Sequence, residues 1–260
     1  EVIRMLQTWL HALPFLLGAG FLTWLVSVQL RNVTIVDTLW SLMFVIAAFS
    51  YASSTLPPGP RAQLVLVLVT VWGLRLAIYL GRRNFGHEED RRYQEIRRRN
   101  EPGFAWKSLY LVFGLQALLA WVISLPLLGA IAGDAGPLGW LDYAGAALCL
   151  VGLYFEAVGD WQLTRFKANP ANAGQVMDQG LWGLTRHPNY FGDFCVWWGF
   201  GLVALAAGAW WSLIGPALMS VLLLRVSGVT LLERDIGKRR PGYAEYIRRT
   251  NAFFPGPRRP

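Results

Sequence analysis

The sequence predicts an all-α integral membrane protein with seven transmembrane helices and a cytoplasm-facing pocket among its C-terminal helices. Three observations predict it. The first is composition: 54% of the 260 residues are hydrophobic and 15% are charged, more apolar than an ordinary soluble domain of this size. The second is a series of apolar runs of about 20 residues, the length that carries a helix across a hydrocarbon core. The third is that the lysines and arginines cluster between those runs, where membrane proteins keep their topology determinants.

The formal net charge of +8 therefore has a membrane explanation, and nucleic-acid binding is not expected. Cys149 and Cys195 lie inside apolar segments without metal-ligand spacing, so neither a structural disulfide nor a metal site is expected. The first 20 residues lack a basic start followed by a small-residue cleavage site. They read as a retained membrane segment.

The apolar runs cover residues 9–30, 34–54, 62–82, 107–131, 138–163, 189–208 and 211–231, followed by a cytoplasmic segment 232–260. Only residues 208–210 separate the sixth run from the seventh. Placing the connections 31–33, 82–107, 164–188 and 232–260 on one side collects 20 of the 24 lysines and arginines. Arg4 and Arg61 fall on the other side, and Arg75 and Arg225 within helices. The excess of positive charge makes that side cytoplasmic and puts the N-terminus outside, most simply in a bacterial inner membrane.

Asp37, Arg75, Glu156, Asp160, Asp193 and Arg225 fall inside the apolar runs. A charge at the bilayer centre costs at least about 2.5–3.5 kcal/mol and normally faces a cavity or a partner. All six fall in the cytoplasmic part of their helices, which predicts a pocket open to the cytoplasm and closed outside. Arg75, Tyr79 and Arg82 share a face of helix three at i, i+4 and i+7. Tyr79 comes at the depth of Asp37, and a tyrosine hydroxyl held by a carboxylate can donate to a carbonyl and stabilise the charge that develops during its reduction. Arg92 and Tyr93, in the mixed-charge loop after helix three, are within reach of a ligand. Helix five stacks Glu156 and Asp160 at i, i+4, and the face continues to Thr164 and Lys167. Carboxylates deep and cations at the mouth suit a ligand with hydroxyls or an amide at one end and phosphates at the other. There is no Gly-rich dinucleotide turn after a strand.

The stretch QGLWGLTRHPNYFGDFCVWWG (179–199), with GDWQLTRFK upstream and VSGVTLLERDIGKRRPGYAEYIRRTNAFFP near the C-terminus, resembles the steroid 5-alpha-reductase-like membrane reductases, and within them the bacterial branch known as the domain of unknown function 1295 family. The resemblance is specific over 150–257 and looser over 30–110. It implies a seven-helix enzyme that binds NADPH from the cytoplasm between its C-terminal helices and reduces a carbon–carbon double bond conjugated to a ketone in a steroid-like or other lipid substrate. By position, Asp160 matches the family's cofactor-contacting Asp, Glu156 stands where the reductases have Asn, and Lys167 stands for a phosphate-binding Arg. Asn189 and Gly192 keep an Asn-x-x-Gly spacing, and Asp193 replaces the Glu that follows it.

The same resemblance adds Arg165, Arg186, His187 and Tyr190 to the cofactor-binding set, together with Glu233, Arg234, Tyr243, Tyr246 and Arg248. Asp37 and Tyr79 match its polarising acid and tyrosine. The steroid reductases proper lack the Arg186-His187-Pro188 motif, whereas sterol-ring reductases and isoprenylcysteine-type methyltransferases have a similar one. An S-adenosylmethionine-dependent membrane methyltransferase is therefore the alternative, and a non-catalytic sterol or lipid binder of the same fold a third.

Overall fold

The computed structural model describes residues 2–55, 57–133, 136–226 and 242–259. Among them the regular structure is helical, with no strand. The elements used below are α1 (Val2–Leu30), α2 (Ile35–Ser53), α3 (Pro60–Asn84), α4 (Arg91–Asn100), α5 (Phe104–Ile123), α6 (Leu125–Ala132), α7 (Trp140–Ala168), α8 (Leu181–Leu184), α9 (Pro188–Ala206), α10 (Ile214–Val221) and α11 (Tyr243–Arg249). Among the described residues five helices are long and apolar enough to cross a membrane: α1, α2, α3, α5 and α7. The chain is thus a multi-pass membrane protein by the length and composition of its helices.

The expected sixth and seventh segments are not among these five. α9 has 19 residues, but its first turns carry Asn189, Tyr190 and Asp193, which dilute its apolarity. The seventh run starts as a 3-10 turn at Trp210–Leu213 and passes through α10 into a π-helical turn at Leu222–Val226. The shorter apolar stretch Trp210–Arg225 results. The fourth run, expected as one helix, breaks at Ser124 into α5 and α6. Pro126 supplies the reason, since it has no N–H to continue the ladder of α5.

By its internal contacts the chain divides into two compact units, Glu1–Asp142 with Val203–Gly215, and Tyr143–Leu202 with Pro216–Pro260. In the first, α2 is the central helix, packed on α1, α3, α5 and α6. Its approach to α3 is close because Gly73 has no side chain: a Cβ there would come within 2.6 Å of Val45 and 3.1 Å of the Ser41 carbonyl. The Ser41 hydroxyl uses the gap to donate to the Gly73 carbonyl at 2.9 Å.

Polar clasps close one end of this unit. The indoles of Trp9 and Trp121 stack at 3.8 Å, and each N–H donates to the other's backbone carbonyl, at 3.1 and 2.8 Å. The Tyr51 and Ser124 hydroxyls bond at 2.7 Å beside the α5–α6 break. Arg61, in the first turn of α3, meets Asp142 through two bonds, Nε to Oδ1 at 2.7 Å and Nη2 to Oδ2 at 3.0 Å. Arg61 is 4% exposed and Asp142 fully buried, and Asp142 also accepts the Gly139 N–H at 2.8 Å.

In the second unit, α7 and α9 are joined along glycines seven residues apart. A Cβ on Gly152 would lie 2.4 Å from the Gly192 carbonyl, and one on Gly199 would lie 2.7 Å from the Gly145 carbonyl. Small residues at such a seam let two backbones approach. The Cys149 thiol lies in the same seam and donates to the Val196 carbonyl at 3.4 Å.

Candidate functional site

In the second unit, the α7–α9 seam buries two carboxylates one turn apart. Glu156 and Asp160 are 2% and 3% exposed. Glu156 lies directly on Gly192, whose added Cβ would meet Glu156 Cγ at 2.7 Å. The Asn-x-x-Gly spacing thereby acquires a packing reason: Gly192 makes room for Glu156, and Asn189, one turn earlier, donates through Nδ2 to Asp160 Oδ1 at 3.5 Å. The arrangement gathers carboxylate acceptors and an amide, groups that match hydroxyls and amides.

The approach to α9 is fixed from two directions. The Trp182 indole donates to the Gly159 carbonyl at 2.9 Å, and Gln162 Oε1 accepts the Leu181 N–H at 3.0 Å. Gly180, at φ +60°, lets the chain turn beneath Gln162; a Cβ there would sit 2.4 Å from its side-chain amide. From the C-terminal side, residues 251–256 lie along 184–186. The Gly256 N–H donates to the Leu184 carbonyl at 3.1 Å, the Thr185 hydroxyl to the Phe253 carbonyl at 2.7 Å, and the Arg186 N–H to the Asn251 carbonyl at 2.9 Å.

Arg186 is only 8% exposed, and its Nη1 donates to the carbonyls of Ile247 and Thr250 at 3.1 and 2.6 Å. It is a cation on the C-terminal end of α11, where the last carbonyls lack helical partners. Tyr246 is similarly committed, its hydroxyl donating to the Trp182 carbonyl at 2.6 Å. Burial, with Tyr243 alongside, pushes the Tyr246 phenol well above its ordinary value. His187 is buried with its ring parallel to Tyr190, centroids 5.7 Å apart.

The remaining expected cofactor residues are spread around this seam. Tyr243 is buried, and Asn189, Tyr190 and Asp193 are half-buried. Arg165, Lys167 and Arg248 are exposed. The Arg165 guanidinium lies over the Trp161 ring at 5.2 Å, and Arg248 pairs with Glu245. Glu233 and Arg234 lie outside the described residues.

In the first unit, Asp37 accepts from the Tyr93 hydroxyl at 2.6 Å and from Arg92 Nη2 at 3.0 Å. Both donors come from α4, at spacings no helical period links to Asp37, so the loop residues named as within reach of a ligand turn out to reach a carboxylate. The same loop grips the entry to α2 elsewhere: Glu89 accepts the Val33 N–H at 2.9 Å, and the Thr34 hydroxyl accepts the Asp90 N–H at 2.9 Å. Arg92 bridges Asp37 and Asp90, and Arg97 pairs with Glu89. Burial opposes charge on Glu89 and Asp90, but hydrogen bonds from Arg97 and Arg92 hold both carboxyls below their usual range. Burial and then the Asp37 charge push the Tyr93 phenol well above its ordinary value.

Tyr93 has one proton and gives it to Asp37, while its oxygen lies 3.4 Å from the Gln116 amide donor. Tyr79 is half-buried, its ring flanked by the guanidiniums of Arg75 at 6.0 Å and Arg83 at 5.8 Å. A Tyr93→Phe substitution removes a hydrogen bond to a charged group and is expected to lower stability by about 1.5–3 kcal/mol, read as a drop in melting temperature. Gln116→Leu, which removes only the long contact, leaves it near the parent value.

A family model described as "Protein of unknown function (DUF1295)" matches residues 23–250, most of the chain and both of these constellations. The chain belongs to the DUF1295 family. It is also similar to the uncharacterized protein C594.04c of Schizosaccharomyces pombe, at 22% identity over 282 residues covering 93% of this chain and 80% of that protein. No solved structure matches. For this DUF1295 member, function has to be argued from its own residues.

Proposed function

We propose that this DUF1295 protein is an NADPH-dependent reductase of a carbon–carbon double bond conjugated to a ketone in a steroid-like or other lipid substrate. The observation that carries the reading is the pairing of Asn189 with Asp160 beside buried Glu156. Asp160 and Asn189 keep the family's residues within the stretch over which the resemblance to the steroid 5-alpha-reductase-like enzymes is specific, and Glu156 stands where those enzymes have Asn. In this reading seven helices cross the bacterial inner membrane, with the N-terminus outside and the pocket open to the cytoplasm.

The donor set fits such a cofactor. Asp160 and Glu156 accept from ribose hydroxyls or a carboxamide, and Arg165 and Lys167, further along α7 and exposed, are placed for phosphates. When bound, NADPH supplies a hydride for the carbon β to the ketone. Tyr79, which the resemblance matches to the polarising tyrosine and which Arg75 and Arg83 flank, would polarise the ketone with the support of Asp37, and a proton delivered to the α carbon would complete the reduction. Asp37 accepts from Tyr93 and Arg92, bonds that also fix α4 to α2, and it keeps acceptor capacity for the part expected of it.

One observation favours the methyltransferase as a second reading. Arg186 and Tyr246, expected to face the cofactor, direct hydrogen bonds to backbone carbonyls, and a cofactor without phosphates has less need of them. Thermal-shift titration of the purified protein separates the two readings. NADPH at 100 times its Kd is expected to stabilise by about 2.7 kcal/mol, with no shift from S-adenosylmethionine. Asp160→Ala is expected to keep the parent's unliganded melting temperature within a few degrees and to lose the shift. A shift with S-adenosylmethionine alone, or no shift with either NADPH or NADH at any substrate tested, overturns the reductase.

A further inference from the structure

We propose that the C-terminal segment 250–259 is a membrane-interface element that binds the anionic headgroups of phospholipids. The inference is independent of the reductase reading and rests on the placement of two adjacent aromatic rings and on the cations next to them in the chain. Phe253 is buried, but Phe254 is 62% exposed. Both rings pack edge-on against α9: Phe253 meets Phe191 and Phe194 at 6.1 and 5.6 Å, and Phe254 meets them at 6.1 and 5.8 Å. Phe191 in turn meets Phe155 of α7 at 4.9 Å.

Phe155 fixes the depth. It lies thirteen residues before Ala168, the last residue of α7, hence about 20 Å from that end of the helix at 1.5 Å per residue. α7 is one of the five membrane-length helices. The exposed ring of Phe254, packed on the first turns of α9 beside that helix, is therefore at the border of the apolar layer, where acyl chains are its natural cover.

The chain then turns through Pro255, Gly256 and Pro257 and continues with Arg258 and Arg259. Between residues 243 and 259 there are four arginines and one acidic residue, Glu245; Arg248 and Arg249 share Glu245, Arg258 reaches Asp178, and Arg259 is exposed beside Asn251. Aromatic rings in the apolar layer followed at once by cations is the composition of an interfacial anchor, and guanidinium groups match phosphate bidentately. The anchor is held in place, because its backbone is bonded to residues 184–186 at three points. Lipid contact at Phe254 therefore bears directly on the entry to α9.

The test uses the full chain with Phe254→Cys carrying a spin label, and the parent as the blank, since Cys149 and Cys195 are buried. The protein is reconstituted in phosphatidylcholine vesicles and in equal parts phosphatidylcholine and phosphatidylglycerol. The label is expected to be more accessible to oxygen than to a water-soluble nickel chelate. That ratio is expected to rise in the anionic vesicles, and the rise to disappear in the Arg258→Gln, Arg259→Gln variant. Greater nickel than oxygen accessibility overturns the proposal, and so does an equal ratio in the two vesicles. Should Phe254→Cys lower the melting temperature, brominated-lipid quenching of Phe254→Trp, read as the difference from the parent, decides between the same outcomes.

Discussion

Arg61→Leu is expected to destabilise the protein by about 3–5 kcal/mol, the cost of leaving a buried carboxylate without its cation. At about 2–4 °C per kcal/mol for a chain of this order of size, the melting temperature should fall by roughly 10 °C. The size of the effect comes from geometry. Asp142 is fully buried and receives two guanidinium bonds of 2.7 and 3.0 Å, so water cannot take over when the arginine is removed. The Gly139 N–H at 2.8 Å is then the bond left to it from its own segment. An exposed ion pair, by contrast, is worth at most about 1 kcal/mol; Arg99→Ala, which removes a partner of Glu95 on the surface of α4, should cost no more than that.

The double variant Arg61→Leu, Asp142→Leu removes both charges and should recover most of the loss. It falls short of the parent by about 1 kcal/mol, because Gly139 loses its acceptor. A loss below about 1 kcal/mol for Arg61→Leu alone would show that the pair is solvated. A double variant no better than the single one would show that Arg61 acts by packing and not by charge.

This pair also marks where sequence and structure part. Arg61 was legible as a cation flanking the third apolar run, and nothing in its spacing joins it to Asp142, 81 residues later. The same limit applies at Asp37. A carboxylate inside an apolar run signals a partner, and it has two, but both Tyr93 and Arg92 come from a mixed-charge loop whose fold no periodicity specifies. Helix existence was readable because an apolar run of about 20 residues has few alternatives. The break at Ser124 was less so, although Pro126 announces it in the sequence. At the candidate site, the i, i+4 stacking of Glu156 and Asp160 on α7 was readable from helical period alone. The commitment of Arg186 to the end of α11 was not, since it depends on the C-terminal segment returning along residues 184–186.

Gly192→Ala is expected to be as damaging as the loss of Arg61, though it adds a single methyl group. The new Cβ would lie 2.5 Å from the Gly152 carbonyl oxygen, 2.7 Å from Glu156 Cγ and 2.8 Å from the Glu156 nitrogen. Two of these atoms are backbone of α7, so no rotamer change relieves the contact and the helices have to separate. Overpacking that flexible side chains can absorb costs about 1–3 kcal/mol; a displaced helix pair sits at the top of that range or beyond it. Separation also withdraws Gly199 from the Gly145 carbonyl and shifts Glu156 and Asp160 relative to Asn189, so any ligand held by that set should lose affinity together with stability. Gly18→Ala on α1 provides the control, because nothing lies within 4 Å of its added Cβ. There the same change only improves helix propensity and should be neutral or stabilising by up to about 1 kcal/mol. Melting temperatures of the two variants in one detergent, compared with the parent, give the result. If Gly192→Ala melts with the parent, α7 and α9 do not meet backbone to backbone at Gly192, and the buried acids are not held in the seam described.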